Sequence, residues 1–343
     1  MRVPGDSKAR GFAWLAALCF AIPSVSAAGE GAAEKIKFNM SSRAHGSIAG
    51  FVVALARGFY KKEGLDVDLK RGYGALRTVD DVADGLYQFG WGAPEGILLN
   101  RTKGGRALMV GAINDTFATA LCYDRAKMTL AKPRDLAGKK IGVAGFPPVR
   151  AVLPIMMDNA EVGRDKIAFI KMKPALTLPA LFSGKTDVLD CRLGSDASIV
   201  KMAAVKKGLD IGVRKLSDLF GLDVYGNGII TSRELMDAKP RTIGRFVRAS
   251  YRGYAWMSRN MAAAADLVVK RFPTLKRPIV LDQARATDKL MKGPNFPTKG
   301  YGWIDRAKMK RTRDFTIAAW NIKMDIPLDE IYTNRYLAGS PIQ

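Results

Sequence analysis

The sequence predicts an α/β fold, with strands and helices alternating in two successive blocks. Three observations carry this. Ile36, Phe38 and Met40 alternate with the period of two expected of a strand, and Ile48, Val52, Leu55, Ala56 and Phe59 then fall on one face at helical spacing. Near residue 125 the pattern restarts with boundary signals of its own, and the 343 residues, 48% hydrophobic and 25% charged, suffice for two cores of ordinary domain size.

In chain order, a polar loop at 41–46 leads to a first helix for which Ser47 is the expected cap. Gly64 occupies the place of a left-handed helix end, and Val67 and Leu69 resume period two, completing a βαβ unit. Phe89 to Gly92 reads as a short strand, and Ala93-Pro94-Glu95 opens a helix through Ile97 and Leu98. In the second block, 140–143 reads as a strand, and a loop at 145–148 precedes a helix with Val152, Leu153, Met156 and Met157 inward. Strands occur next at 167–172 and 187–191 around a helix at 178–182. Beyond about 225 the chain turns helical, most clearly at 241–257, 262–270 and 304–320. Alternation of this kind implies parallel sheets covered by helices, with a ligand site in loops at the carboxyl ends of the strands: 41–47, 72–78, 91–95, 145–150 and the segment after Asp190.

Arg2, Lys8 and Arg10, an apolar run at 12–22 and the cleavage-site residues Val25-Ser26-Ala27 form the pattern of a cleavable export signal over 1–27. Leu18 before Cys19 departs from a lipid-attachment motif. The formal charge of +23 belongs mainly to the chain beyond residue 27, since 1–27 holds only three basic residues and one acidic residue. The product is expected in the periplasm, where the remaining Cys122 and Cys191 either pair or stay as buried thiols.

Catalytic patterns are missing from the sequence. A single histidine, His45, excludes zinc clusters that need several, and neither a phosphate-cradling glycine loop nor a serine elbow occurs. Gly72 to Arg77 begins like a dinucleotide fingerprint but carries Arg77 at the third glycine. The basic stretch Arg306, Lys308, Lys310, Arg311 and Arg313 reads as a solvated helix face, with Ile304, Met309 and Phe315 inward. It lacks the stacking aromatics of a nucleic-acid site. No metal, cofactor or nucleic-acid partner is expected, and the chain is expected to be a monomer.

The residues also carry a likeness. The run Ala54-Leu55-Ala56-Arg57-Gly58-Phe59-Tyr60-Lys61-Lys62-Glu63-Gly64-Leu65-Asp66-Val67 resembles a block of the periplasmic binding proteins of ABC importers, of the nitrate/sulfonate/taurine and thiamine-pyrimidine type. Phe89 to Glu95, Pro133 to Val143, Leu181 to Asp187, Gly226 to Ile230 and Asp329 to Asn334 resemble its later blocks in order. The resemblance implies a type 2 periplasmic-binding fold, two α/β lobes around a hinge, closing on a small molecule and delivering it to a permease in the inner membrane. Lobe one is then expected at 36–125 plus 223–343 and lobe two at 126–222. The family also contains an enzyme that makes the thiamine pyrimidine. Its cofactor lysine and consumed histidine align with Trp91 and Glu95, its cysteine-rich block near 223–230 has no cysteine here, and its glycine-rich phosphate loop becomes Gly145-Phe146-Pro147-Pro148. A binding protein, not an enzyme, is therefore expected.

For the ligand, Trp91 and Glu95 suit a flat nitrogenous ring, the indole stacking while the carboxylate accepts from an exocyclic amine. Phe51, Tyr73 and Phe146 are further candidate aromatic contacts, and His45 is a loop or ligand-contacting residue. Arg150 at a helix start suits an anion, with Arg43, Arg77 and Arg192 as other cations. The expected ligand is a small heteroaromatic or aromatic acid; the alternative is an aliphatic sulfonate, taurine or nitrate.

Overall fold

The computed structural model describes residues 32–144 and 148–337, together with Met1 and Gly5. Apart from those two residues, the expected export signal at 1–27 lies outside the described residues. Ten strands form two five-stranded sheets among the described residues: β1 (Glu34–Asn39), β2 (Leu65–Lys70), β3 (Phe89–Gly92), β4 (Ala107–Ala112), β5 (Thr119–Asp124), β6 (Lys140–Ala144), β7 (Ala168–Met172), β8 (Val188–Arg192), β9 (Ile211–Lys215) and β10 (Gly228–Ser232). The first sheet runs β2-β1-β3-β10-β4 and the second β7-β6-β8-β5-β9, each flanked by helices, giving the two α/β lobes.

Period two holds where one face is wet: in β2, Leu65, Val67 and Leu69 are buried while Asp66, Asp68 and Lys70 face out. β1 pairs in parallel with both β2 and β3, as the βαβ pattern requires. The expectation of wholly parallel sheets needs correction. β10 runs antiparallel between β3 and β4, and β5 runs antiparallel to β8 and β9. These two strands enter from the other lobe through a direct crossover, with no helical return to impose parallel pairing. β10 lies in a region expected to be helical, and β5, expected in the first lobe, belongs to the second sheet.

The crossovers, 113–118 and 221–227, are hydrogen-bonded to each other. Asn227 O accepts from Ile113 N at 3.0 Å and Asn114 N at 2.8 Å, and Asn114 O accepts from Gly226 N at 2.9 Å. A two-strand ribbon therefore joins the lobes. The first lobe is built on stacked aromatics, with the rings of Phe89 and Phe246 4.0 Å apart and nearly parallel. In the second, Cys122 on β5 and Cys191 on β8 form a disulfide across 6.0 Å of Cα separation.

The helix Arg306–Trp320 packs on both lobes. Ile304 and Met309 join a first-lobe cluster, while Phe315 and Ala319 lean on a second-lobe one. Its basic residues are not uniformly solvated: Lys308 is only 5% exposed. Its Nζ lies 2.8 Å from Asp115 on the first crossover and 2.8 Å from Asp223 on the second. One buried ammonium thus fastens both strands of the ribbon. Among the described residues no helix is long and apolar enough to cross a membrane.

Candidate functional site

A cavity of about 200 Å³ lies between the lobes beside the ribbon. The first lobe contributes His45 and Ser47 from the loop after β1, Trp91 from β3, and Glu95 from the first turn of the helix Pro94–Arg101. The second contributes Arg192 at the end of β8 and Ser195 and Asp196 beyond it, and the ribbon adds Asn114, Phe117 and Asn227. The site therefore collects strand ends and crossovers, as ligand sites on open α/β sheets do.

Local backbone chemistry fixes the first-lobe wall. Asn39 Oδ1 accepts from Ser41 N at 2.9 Å and from Thr78 Oγ1 at 3.0 Å, while Gly74 N donates to Ser41 O at 2.6 Å. Gly72 is required there, because a Cβ would lie 2.1 Å from Asn39 Oδ1. His45, rather than the expected Ser47, caps the first helical turn: its Nδ1 accepts from Ser47 N at 3.3 Å. The Ser47 hydroxyl instead crosses to the other lobe, donating to Gly194 O at 2.7 Å and accepting from Thr287 Oγ1 at 2.7 Å.

Trp91 and His45 make an aromatic corner, their ring centroids 5.1 Å apart and tilted by 40°. The indole is 5% exposed, and among the described residues its Nε1–H has no acceptor; nor does the buried Asn114 Oδ1 have a donor there. A buried donor and a buried acceptor lining one cavity without partners are groups waiting for a ligand's complementary atoms. Burial pushes the Glu95 carboxyl up to about 7, an effect the Arg192 guanidinium partly offsets. Burial likewise raises Asp190 to about 7 and lowers His45 to about 4, so the imidazole is neutral at neutral pH. Arg192 keeps 45% of its side chain exposed and pairs with Asp196 at 3.3 Å.

The cavity thus brings together Trp91, Glu95 and His45, with Arg192 among the secondary cations. The remaining candidates fall elsewhere. Phe51 is wholly buried in the first-lobe core, its ring 4.4 Å from that of Phe38, because its helical face points at the sheet. Tyr73 is 69% exposed at a loop tip, with the Arg71 guanidinium 4.9 Å from its ring centroid. Arg150 is exposed on the helix Val149–Asn159 and does not line the cavity, although Pro148 before that helix does. Arg43 and Arg77 also lie outside the lining. Phe146 falls outside the described residues. Asn114 and Phe117 carry no signal that singles them out in the sequence; Asn227 and Asp196 fall only within the block Gly226 to Ile230 and the segment after Asp190. The ribbon residues are recognisable only once 113–118 and 221–227 are seen to cross between sheets.

A family model described as NMT1/THI5 like matches residues 45–264. The riboflavin-binding protein RibY of Chloroflexus aurantiacus is 24% identical over 317 residues, 89% of this chain and 87% of the relative. The formylaminopyrimidine-binding protein of Halalkalibacterium halodurans is 22% identical over 254 residues, covering 72% of this chain and 75% of its own. Among solved structures, the periplasmic aliphatic sulphonate binding protein SsuA from Escherichia coli superposes with a TM-score of 0.68 at 14% identity, over 90% of this chain and 96% of the other. The shared architecture is the bilobal periplasmic-binding-protein fold.

Proposed function

Because the chain belongs to the NMT1/THI5-like family, we propose that it is the extracytoplasmic substrate-binding component of an ABC importer. Its ligand is a small nitrogenous heteroaromatic, of the thiamine-pyrimidine kind, carried to an inner-membrane permease. The observation that carries this reading is the cavity itself, where an indole with an unpartnered N–H, a buried carboxyl and a buried amide oxygen converge. The indole offers a stacking face, its N–H meets a ring nitrogen, and Glu95 and Asn114 accept from exocyclic amines. The relatives named for riboflavin and formylaminopyrimidine, both nitrogen heteroaromatics, support the same chemistry. At about 200 Å³ the cavity lies below the roughly 300–1,000 Å³ of sites for drug-sized ligands, which favours a single ring over a flavin.

The alternative ligand, an aliphatic sulfonate, taurine or nitrate, would lean on Arg192. That guanidinium is engaged by Asp196, and Glu95 adds further acid to the lining, so a free anion gains little there. A pyrimidine-forming enzyme is weaker still, since Trp91 and Glu95 stand where that reaction needs lysine and histidine.

The test is a thermal-shift panel of aminopyrimidines, flavin fragments, sulfonates, nitrate and aromatic carboxylates, followed by calorimetry on whatever binds. A ligand at 100 times its Kd stabilises the folded chain by about 2.7 kcal/mol, enough to read as a melting shift. A shift confined to sulfonates or nitrate would replace the heteroaromatic reading with the anion one.

A further inference from the structure

A second cleft, of about 560 Å³, lies between the lobes and shares one wall with the first cavity. That wall is the segment after β8. Leu193 lines both spaces, Ser195 and Asp196 face the first, and Gly194, Ala197 and Ser198 face the second. Much of the rest of the cleft comes from β9 and from the first-lobe helix Arg277–Met291, with Lys201 and Met261 also lining it. Its lining is amphipathic. Ala197, Ile211 and Val213 from one lobe and Met261, Ala286 and Leu290 from the other supply apolar surface, edged by cations.

The ion pairing is lopsided. The two acids that line the cleft each have a cationic partner, Asp282 in Lys201 at 3.3 Å and Asp288, through Oδ2, in Lys292 at 2.8 Å. Lys215 pairs with Asp218 and Arg125 with Asp210. Arg285 and Lys289, one helical turn apart and exposed, have no acidic partner among the described residues. The cleft therefore combines a concave apolar surface of small-molecule size with two uncompensated positive charges on its edge. We propose that it is a second ligand site, taking a small organic anion with an apolar body, and that its occupant orders the shared wall 193–196.

Direct hydrogen bonds hold the wall to the first lobe, among them Ser47 Oγ to Gly194 O at 2.7 Å and Gln283 Nε2 to Ser195 O at 2.8 Å. An occupant touching both lobes adds to them, so the two sites are thermodynamically linked, each ligand favouring the other. The site is separate from the cavity of Trp91 and Glu95, and its test does not depend on the identity of that cavity's ligand.

The experiment titrates the full chain with 1-anilinonaphthalene-8-sulfonate, an aromatic monoanion whose emission rises in apolar surroundings. Saturable one-to-one binding is expected. The double variant Arg285→Glu/Lys289→Glu, at exposed positions, should weaken it about tenfold, since reversal replaces two attractions by two repulsions. The matched variant Arg306→Glu/Lys310→Glu on the distant basic helix should leave it within about twofold. Hydrogen exchange at the amides of 193–196 should slow when the probe is bound. Equal weakening in both variants, or in neither, overturns the site, because global charge or another pocket then explains the binding. Site-specific weakening without protection at 193–196 overturns the shared-wall coupling.

Discussion

Trp91 and Glu95 perform separable tasks, and their variants separate them. Aromatic stacking on a flat base contributes about 1–3 kcal/mol, so Trp91→Ala should weaken an aminopyrimidine roughly 5- to 150-fold, read by calorimetry. Glu95→Gln should weaken an amine-bearing ring sharply and an anion slightly or not at all; an unchanged aminopyrimidine affinity would remove Glu95 from the site. The same carboxyl makes stability depend on pH. Its folded pKa, raised to about 7 from an ordinary 4.5, means that the folded chain holds a proton the unfolded chain has lost. Stability therefore falls as pH rises through about 4.5–7, and Glu95→Gln should gain on the parent chain over that window, by up to about 3 kcal/mol. His45 has the opposite sign. With its pKa depressed to about 4, stability is lost as pH falls from 6.5 towards 4. Chemical denaturation at pH 5 and pH 8 for both chains measures the difference. The residue types of this corner were legible in the sequence, because a tryptophan and a carboxylate at a strand end leave a chemical signature. Phe51 shows the limit of that reasoning: an aromatic near a ligand loop looks the same in sequence whether it faces the cavity or the core, and only helix rotation decides.

The ribbon between the lobes depends on an element that the sequence presents as a solvated helix face. Lys308 is one of five basic residues in eight positions, and what buries it is tertiary: two acids from two crossovers meet at that turn. Tyr225 backs the ammonium, whose nitrogen lies 4.9 Å from its ring centroid. Asp115 is 7% exposed, so Lys308→Met strands a buried carboxylate and should cost about 3–5 kcal/mol in urea unfolding. Adding Asp115→Asn should recover much of the loss, because no uncompensated charge then remains. If the double variant is no more stable than the single one, the helix contributes packing at this point and not a charge clamp. The disulfide belongs to the same scale. The sequence leaves Cys122 and Cys191 open, since pairing turns on β5 and β8 becoming neighbours, and β5 is expected from sequence in the other lobe. Replacing both by alanine should cost about 2–4 kcal/mol of stability, and reduction of the parent chain should approach that value.

At the scale of the molecule, the contacts that hold the lobes in this arrangement are unevenly placed. Ser47 to Gly194, Gln283 to Ser195 and Lys201 to Asp282 all join the segment 194–201 to the first lobe, while the ribbon and Lys308 stay connected whatever the lobe angle. On this side, opening breaks these two hydrogen bonds and one half-exposed ion pair, interactions weak enough for a ligand's differential affinity to set the balance. The block structure of the sequence made two lobes legible; the direction of β5 and β10 was not, because antiparallel entry follows from where the chain crosses between sheets and leaves no local signature. The crossovers also make the mechanism testable. Gln283→Ala removes the Ser195 bond, together with the bond from Gly46 N–H behind the cavity wall, so it should shift the chain towards an open form and raise the apparent Kd. Small-angle scattering should show a larger radius of gyration for this variant without ligand and the same compact value as the parent at saturation. If a tightly bound ligand leaves the scattering of both chains unchanged, the lobes do not close on it, and capture must be assigned to a preformed cavity.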